Sequence, residues 1–238
     1  MKILVFQHHD AEHPGIFRDF MQAHDIEWQP VNLHRGEAIP GFAGFDVMMV
    51  MGGPMDVWDT DDCPWLIEEK AAIRRWVVED GKPYLGICLG HQLLADACGG
   101  ACGKLSPAEV GICDVQLKPE GEADPLMQGI PSEIKALQWH GVQVETLPPN
   151  TTSLAMSPVS DNQAIRVGNH AWGIQYHVEL TDTTVEEWGD IPEYKAALHA
   201  SLGADALPGF IAEADKQMPA FKRNAETMFD NFVKAIGG

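Results

Sequence analysis

The sequence predicts an α/β fold with a mostly parallel central sheet, flanking helices and a helical C-terminal extension. In the first part of the chain, short apolar runs alternate with helix-length amphipathic segments, as in strand–helix–strand units with crossover helices. The middle of the chain carries short β-rich runs separated by Pro and Gly turns. The segment after residue 180 is acidic and has apolar residues at helical spacing.

The predicted elements follow one another at short intervals. Strands are predicted at 3–6, 26–33, 47–51 and 83–88, and helices at 16–24 and 65–79. The second helix ends before Gly81 and Pro83, which are typical helix stop signals. Further strands are predicted at 111–117, 142–147, 153–156 and 163–167. These runs could form antiparallel strands added to a parallel core. We expect one domain over residues 1–180, with a helical extension over 181–238 packed on it.

The charge balance excludes several classes of partner. The 238 residues include 35 acidic and 16 basic side chains, which gives a formal net charge of −19 at pH 7. No basic run is present to neutralise phosphates, so we expect neither nucleic acid nor an anionic membrane as a partner. The apolar run at 3–6 is too short for a signal peptide or a membrane span. Five irregularly spaced cysteines indicate reduced thiols, and we expect a cytoplasmic protein.

The most informative motif is Gly86-Ile87-Cys88-Leu89-Gly90, at the end of a predicted strand. Glycines two residues before and after a central residue permit a tight, strained turn that lifts one side chain out of the strand. Cys88 would then lie at a helix N terminus, whose partial positive charge favours the nucleophilic thiolate. A buried structural cysteine at a glycine-rich turn is the alternative for this motif in isolation.

A thiol nucleophile needs a base and an orienting group, and the run Gln175-Tyr176-His177-Val178-Glu179 supplies both. In an extended strand His177 and Glu179 point to the same face, so the carboxylate could orient the imidazole. Taken alone, His-x-Glu is more often a solvated strand end.

A third motif, Gly52-Gly53-Pro54, follows the strand predicted at 47–51. Acyl transfer develops an oxyanion, which backbone N–H groups of a turn without side chains can approach closely. We predict Gly53 and Leu89 as the donors. An ordinary strand-ending turn is the alternative, since Gly-Gly-Pro favours one without any chemistry.

In their order and spacing, these three motifs resemble the class I, triad-type glutamine amidotransferases. The run Gln138-Trp139-His140-Gly141 is similar to the substrate-binding loop of that family. The resemblance covers residues 1–180 and is greatest to stand-alone proteins related to the amidotransferase domain of GMP synthase.

The resemblance implies a flavodoxin-like sheet and a cysteine mechanism. It implies Cys88 as nucleophile, His177 as base and then acid, and Glu179 as its orienting group. Cys88 would attack the side-chain amide of glutamine, and the γ-glutamyl thioester would then be hydrolysed. It implies Gly53 and Leu89 as the oxyanion hole and places the substrate against Gly52, Gln92, Trp139, His140 and Gly141. The half-reaction needs neither a metal nor an organic cofactor.

The chain departs from the family pattern at two positions. Val178 replaces the proline of the usual His-Pro-Glu, and Val142 stands where relatives often carry an acidic residue. The 238 residues contain no Ser-Gly-Gly-x-Asp ATP-pyrophosphatase loop, so the sequence does not name an ammonia acceptor. Three functions therefore stay open: a hydrolase cleaving free glutamine, a γ-glutamyl peptidase, and a glutaminase or regulatory subunit that works only with a separate synthase.

Two other groups of polar residues have plain interpretations. Only one short Cys-x3-Cys pair is present, so we expect structural thiols, not a zinc site, at Cys98, Cys102 and Cys113 near His91. Loops at the C-terminal ends of parallel strands face the ligand crevice. Two interpretations are therefore open for the residues after the first strand: they line the site, or they form a surface loop. These residues are His8, His9, Asp10 and His13.

Overall fold

The computed structural model describes residues 1–237, and its strands form one nine-stranded sheet. The strands are β1 (Lys2–Gln7), β2 (Glu27–Asn32), β3 (Val47–Val50), β4 (Tyr84–Ile87), β5 (Ala101–Leu117), β6 (Glu133–Thr146), β7 (Thr151–Met156), β8 (Ala164–Val167) and β9 (Ala171–Ile174). Their order in the sheet is β2-β1-β3-β4-β9-β8-β7-β5-β6. The pairs from β2 to β9 are parallel, and those from β9 to β6 are antiparallel. The predicted α/β fold is confirmed.

Helices flank the sheet and connect its parallel strands. They are α1 (Phe17–Ala23), α2 (Trp65–Arg74), α3 (Leu89–Ala97), α4 (Pro119–Glu122), α5 (Thr184–Gly189), α6 (Pro192–Leu202) and α7 (Leu207–Ala235). A π-helical turn over Arg75–Glu79 continues α2, and 3-10 turns lie at Leu33–Arg35 and Pro125–Met127. Among the described residues, no helix combines the length and the apolar character needed to cross a bilayer.

The structure extends two of the predicted strands. β5 begins at Ala101 and β6 at Glu133, about ten residues before the predicted starts at 111 and 142. In β5, the register shifts between Lys104 and Glu109, which hides the two-residue alternation of a strand. In β6, five consecutive residues over 136–140 are buried, so no alternation of polar and apolar residues marks this strand.

Three apolar clusters form the core. One lies between the sheet, α1 and α7 and includes Phe17 and Phe229, and a second includes Leu4 and Trp76 on the side of α2 and α3. The third joins Trp139 of β6 to residues of α5, α6 and α7, including Trp188, Tyr194 and Phe210. The helices α5 and α6 and the first half of α7 therefore pack with the strand that carries Trp139, while the second half of α7 packs in the first cluster with α1.

Candidate active site

Cys88 occupies a strained turn between β4 and α3. Its φ is 51° and its ψ is −103°, and it immediately precedes the first residue of α3. A non-glycine residue at positive φ is uncommon and persists only where its surroundings hold it in place. The Cys88 N–H donates to the carbonyl of Ile174 in β9 at 2.8 Å, which ties the turn to the next parallel strand. The thiol is 4% exposed and lies at the C-terminal edge of the parallel strands.

The two glycines of this turn provide room for neighbouring backbone. A Cβ on Gly86 would lie 2.4 Å from the carbonyl oxygen of Gly90, and a Cβ on Gly90 would lie 2.1 Å from that of Val50. Neither glycine has a positive φ. The glycines thus permit the strained turn, because Cys88 itself adopts the strained conformation while Gly86 and Gly90 allow β3, β4 and α3 to touch.

His177 and Glu179 form a buried pair beside this turn. The Nδ1 and Oε1 atoms lie 2.8 Å apart, and the backbone N–H of Val178 donates to the other carboxylate oxygen at 2.9 Å. Proline has no N–H, so valine at position 178 adds a hydrogen bond that the usual His-Pro-Glu sequence cannot make. Both oxygens of Glu179 are thereby fixed.

This pair does not lie on a regular strand, and the prediction of an extended strand through it is wrong. β9 ends at Ile174, and the chain then crosses to β6, where the N–H of His177 donates to the carbonyl of Leu137 at 3.0 Å. The carboxylate nevertheless reaches the imidazole, because its hydrogen bond to Val178 folds the side chain back along its own backbone.

The electrostatics of His177 favour its protonated form. Burial alone lowers the pKa of a histidine, but here the charges of Glu179 and Cys88, with the hydrogen bond to Glu179, raise the pKa of His177 well above its usual value. The Nε2 atom is buried and has no hydrogen-bond partner among residues 1–237. One nitrogen is therefore oriented while the other is free.

Two glutamines connect the cysteine to the antiparallel half of the sheet. The amide of Gln175 donates to the Cys88 sulfur at 3.6 Å, and the amide of Gln92 donates to the Oε1 of Gln175 at 3.2 Å. Gln92 also approaches the carbonyl of Val142 at 3.4 Å. Gln175 was part of the recognised motif but was not predicted as a site residue.

A cavity of about 200 Å³ opens over the cysteine. Seven of the predicted site residues line it: Gly53, Cys88, Leu89, Gln92, Trp139, His140 and Gly141. Gly52, His177 and Glu179 lie outside its lining. Pro54, Met55, Asp56 and Val142 complete one side, and Glu193, Tyr194 and Ala197 of α6 form another wall. The helical segment after residue 180 therefore contributes directly to the cavity.

The two predicted oxyanion donors both face this cavity. Gly53 lies in the turn after β3, and Leu89 is the first residue of α3. Neither backbone N–H donates a hydrogen bond to any residue that the structure describes. An N–H pair of this kind beside a nucleophile can bind a developing negative charge.

Glu12 is a buried carboxyl group that the sequence analysis missed. It is 0% exposed, the Tyr194 hydroxyl donates to its Oε1, and its Oε2 has no partner within the described part of the chain. Burial, opposed by the charge of His177 and assisted by that of Glu179, raises the pKa of Glu12 to about 7. No motif surrounds Glu12, so only its place in the loop after β1 could have indicated it.

The same carboxyl belongs to a group that has metal-ligating atoms. One such atom from each of Glu12, His177 and Glu179 lies within 4.8 Å of the others. The same side chains already make hydrogen bonds within the protein, because Nδ1 of His177 bonds to Glu179 and Oε1 of Glu12 accepts from Tyr194, while Nε2 of His177 and Oε2 of Glu12 have no partner within residues 1–237. Hydrogen bonds within the protein therefore already hold these three side chains in place.

The remaining cysteines are poor nucleophiles. All five are free thiols. Burial raises the pKa of Cys98 and Cys113 to about 11 and that of Cys102 to about 12, and it also raises the pKa of Cys63.

None of the four polar residues after β1 lines the cavity. Among His8, His9, Asp10 and His13, only His8 is fully buried, with its Nδ1 2.8 Å from the carbonyl oxygen of Gly52.

Comparisons with known proteins found relatives in one family. The family model described as glutamine amidotransferase class-I matches residues 16–187. The chain is 30% identical to the glutamine amidotransferase-like protein YfeJ of Salmonella typhimurium, over 78% of this chain and 79% of that protein. It is 36% identical to a glutamine-hydrolyzing GMP synthase of Aeropyrum pernix, over 62% of this chain and only 26% of that protein. It is 32% identical to one subunit of the glutamine-hydrolyzing GMP synthase of Pyrococcus abyssi, over 56% of this chain and 65% of that relative.

Solved structures show the same fold. A glutamine amidotransferase from Methylobacillus flagellatus has a TM-score of 0.85 and 27% identity, covering 98% of this chain and 94% of that one. A glutamine amidotransferase from Thermotoga maritima has a TM-score of 0.86 at 22% identity, covering 100% and 99% of the two chains.

Proposed function

This chain belongs to the class-I glutamine amidotransferase family, and from that membership we propose that it hydrolyses the side-chain amide of glutamine through a thioester on Cys88. The observation that carries the proposal is the buried hydrogen bond between His177 and Glu179, which leaves Nε2 of the imidazole without a partner on a ring whose pKa is also raised by Cys88. A nucleophile, a base and an orienting carboxylate in this relation form the triad used for acyl transfer.

In the proposed first step, the Cys88 thiolate attacks the side-chain carbonyl carbon of glutamine. A carbon–sulfur bond forms, and the carbonyl electron pair moves onto oxygen, where the N–H groups of Gly53 and Leu89 stabilise it. The imidazolium of His177 gives its proton to the amide nitrogen as the carbon–nitrogen bond breaks, and ammonia leaves.

In the second step, neutral His177 takes a proton from water, which attacks the thioester. The carbon–sulfur bond breaks, glutamate is released, and the Cys88 thiolate and the His177 imidazolium are restored. The Glu179 carboxylate fixes the imidazole tautomer and stabilises its positive form in both steps.

Two carboxylates in the cavity wall fit the α-amino group of an amino-acid substrate. Val142 replaces the acidic residue often found in relatives, but Asp56 and the exposed Glu193 of α6 line the same cavity. Burial and the charge of Asp59 raise the pKa of Asp56, and an ammonium group beside it would act in the opposite direction and favour its charged form. We propose that these carboxylates hold the substrate ammonium.

The second candidate function is that of a glutaminase subunit that works with a separate synthase, and the names of relatives favour it. Relatives from Pyrococcus abyssi and Ignicoccus hospitalis are each named as one subunit of a glutamine-hydrolyzing GMP synthase. In that case this chain would supply ammonia to a partner and would show full activity only in its presence.

The decisive experiment compares substrates on the purified chain. Glutamine and γ-glutamyl dipeptides are incubated separately with wild type and with Cys88→Ala, and ammonia, free amino acid and glutamate are measured. Ammonia release from glutamine that depends on Cys88 supports the proposal. Cleavage of the dipeptides alone would make the chain a γ-glutamyl peptidase, turnover only after a synthase is added would make it a synthase component, and equal activity in Cys88→Ala would defeat the mechanism.

A labelling experiment checks the nucleophile independently. A glutamine-like electrophile should modify Cys88 before the other four thiols, because burial raises the pKa of each of them. Peptide mass spectrometry locates the label. First labelling at Cys63, which is less buried than Cys88, would contradict the assignment.

A further inference from the structure

The carbonyl group of Gly52 is held by a buried histidine outside the cavity. The Nδ1 of His8 lies 2.8 Å from the Gly52 oxygen, and its Nε2 lies 2.9 Å from the Oε1 of Glu69 in α2. A carbonyl oxygen only accepts hydrogen bonds, so Nδ1 must carry the proton. The His8 and Glu69 side chains are both 0% exposed.

The histidine has little freedom to move. Its ring stacks on Trp65, with centroids 5.4 Å apart and planes 8° from parallel. Burial lowers the pKa of His8, but the charge of Glu69 and its hydrogen bond outweigh this effect and raise the pKa. A protonated ring can donate to Gly52 and to Glu69 at the same time. The ring is therefore clamped on one face and at both nitrogens.

The orientation of this carbonyl fixes the next N–H group. In a planar trans peptide, the C=O of Gly52 and the N–H of Gly53 point in opposite directions, and this peptide bond is trans. The carbonyl points to His8, which is outside the cavity, whereas Gly53 lines the cavity and its N–H has no partner within residues 1–237. Glycines can rotate such a peptide at low cost, so an external restraint is needed to hold one orientation.

We propose that His8, held by Glu69, is a positioning residue that keeps the Gly52–Gly53 peptide turned with its N–H toward the cavity, as an oxyanion donor. The effect on catalysis rests on the proposed function, in which a tetrahedral oxyanion forms next to Cys88. His8 acts through the backbone and touches neither the substrate nor the thiol.

Two substitutions of His8 separate the hydrogen bond from the packing. His8→Phe keeps an aromatic ring on Trp65 but removes the donor, while His8→Asn keeps an N–H near the position of Nδ1. His170→Phe is the matched control. The His170 ring also bonds to a backbone carbonyl, that of Val77 at 3.0 Å, but His170 precedes the first residue of β9 and does not line the cavity.

The readouts compare a reaction that needs the oxyanion hole with one that does not. Turnover of L-γ-glutamyl-p-nitroanilide and of glutamine passes through an oxyanion, whereas alkylation of Cys88 by iodoacetamide is a displacement at carbon that forms none. We expect His8→Phe to lower kcat by about tenfold or more, with little change in KM or in alkylation rate. His8→Asn should recover much of the loss, and His170→Phe should match wild type. Unchanged kcat in His8→Phe, or equal losses of kcat and alkylation rate, would overturn the proposal.

Crystal structures of wild type and His8→Phe provide a test that needs no activity. We expect the Gly52–Gly53 peptide to be reversed or to occupy two orientations in His8→Phe. A single orientation identical to that of wild type would overturn the positioning role even if the protein hydrolysed no γ-glutamyl substrate. Absence of turnover in wild type, combined with a reversed peptide in the variant, would reject the proposed function and keep the positioning role.

Discussion

The indole ring of Trp188 stands edge-on to the imidazole of His177, with ring centroids 4.4 Å apart and planes 67° from parallel. Trp188 lies in α5, is 1% exposed, and donates from Nε1 to the carbonyl of Ala11 at 3.1 Å. One side chain beyond residue 180 thus contacts both the proposed base and the loop after β1. The imidazole of His177 is therefore packed directly against the helical segment.

Replacing the indole of Trp188 should destabilise the folded protein. Trp188→Ala removes a fully buried aromatic ring, so we expect the free energy of unfolding to fall by about 3–5 kcal/mol. Trp58→Ala is the matched control, because Trp58 is 38% exposed against 1% for Trp188, and its replacement should therefore lower the free energy of unfolding by clearly less. Denaturant unfolding followed by circular dichroism measures both. Similar midpoints for the two variants would contradict the packing role of Trp188.

Gly90→Ala should destabilise the turn around Cys88 more than an ordinary glycine substitution. The new Cβ would lie 2.1 Å from the backbone oxygen of Val50, which no side-chain rotation can relieve. We expect a loss of at least about 3 kcal/mol in the free energy of unfolding. Gly209→Ala in α7 meets nothing within 4 Å and should be neutral or more stable by up to about 1 kcal/mol. If both alanine variants unfold like wild type, the close approach is not a constraint.

The stability of the protein should depend on the titration of Glu12. Because its pKa is raised from 4.5 to about 7, the folded protein keeps a proton that the unfolded chain releases between these values. The stabilising effect of this proton is present below pH 4.5 and is lost as the pH rises through 7. When the pH is raised from 4.5 to 8, the free energy of unfolding should therefore fall by about 3 kcal/mol less in Glu12→Gln than in wild type.

Unfolding free energies at these two pH values measure this difference. The exposed Glu68 of α2 offers a control, since Glu68→Gln should follow the wild-type pH dependence. The same pH dependence in Glu12→Gln and wild type would show that the Glu12 carboxyl is not protonated on folding.

Glu179→Gln should change both the rate and its pH dependence. The charge of Glu179 raises the pKa of His177, so its removal should lower that pKa and move the alkaline limb of the kcat/KM profile to lower pH. Loss of the orienting carboxylate should also reduce kcat by at least about 10²-fold. The exposed Glu186 of α5 gives the control Glu186→Gln, with an unchanged profile expected. An unshifted limb in Glu179→Gln would remove Glu179 from the proposed triad.

Sequence patterns predicted the parts of the site that depend on local backbone geometry. Gly86, Cys88 and Gly90 indicated the turn because Gly86 meets Gly90 four residues along the chain, whereas the contact of Gly90 with Val50 joins segments forty residues apart. Glu12 gave no such signal, since its importance arises from Tyr194, which is 182 residues away in the chain. The pairing of His177 with Glu179 was expected on a strand, but the structure forms it in a crossing segment fixed by Leu137 of β6. Long-range contacts of this kind are not encoded in local periodicity.

In the fold, too, elements with a local apolar pattern were predicted and elements shaped by long-range contacts were not. Strands and helices up to residue 88 were predicted closely because crossover units impose clear apolar runs. The beginnings of β5 and β6 were not found, because a register shift and continuous burial remove the alternation that marks a strand.

The contact between Gly90 and Val50 also limits how this protein can change over evolutionary time. Gly53 follows Val50 by three residues and Leu89 precedes Gly90, so the spacing of the two proposed N–H donors is set by touching main chains. At the contact itself, residue 90 has no side chain whose size could be altered, and any added Cβ would meet the Val50 main chain. The span between the proposed donors therefore depends on main-chain packing, whereas the cavity walls, such as Asp56 and α6, present side chains whose substitution changes the shape of the cavity without moving that contact.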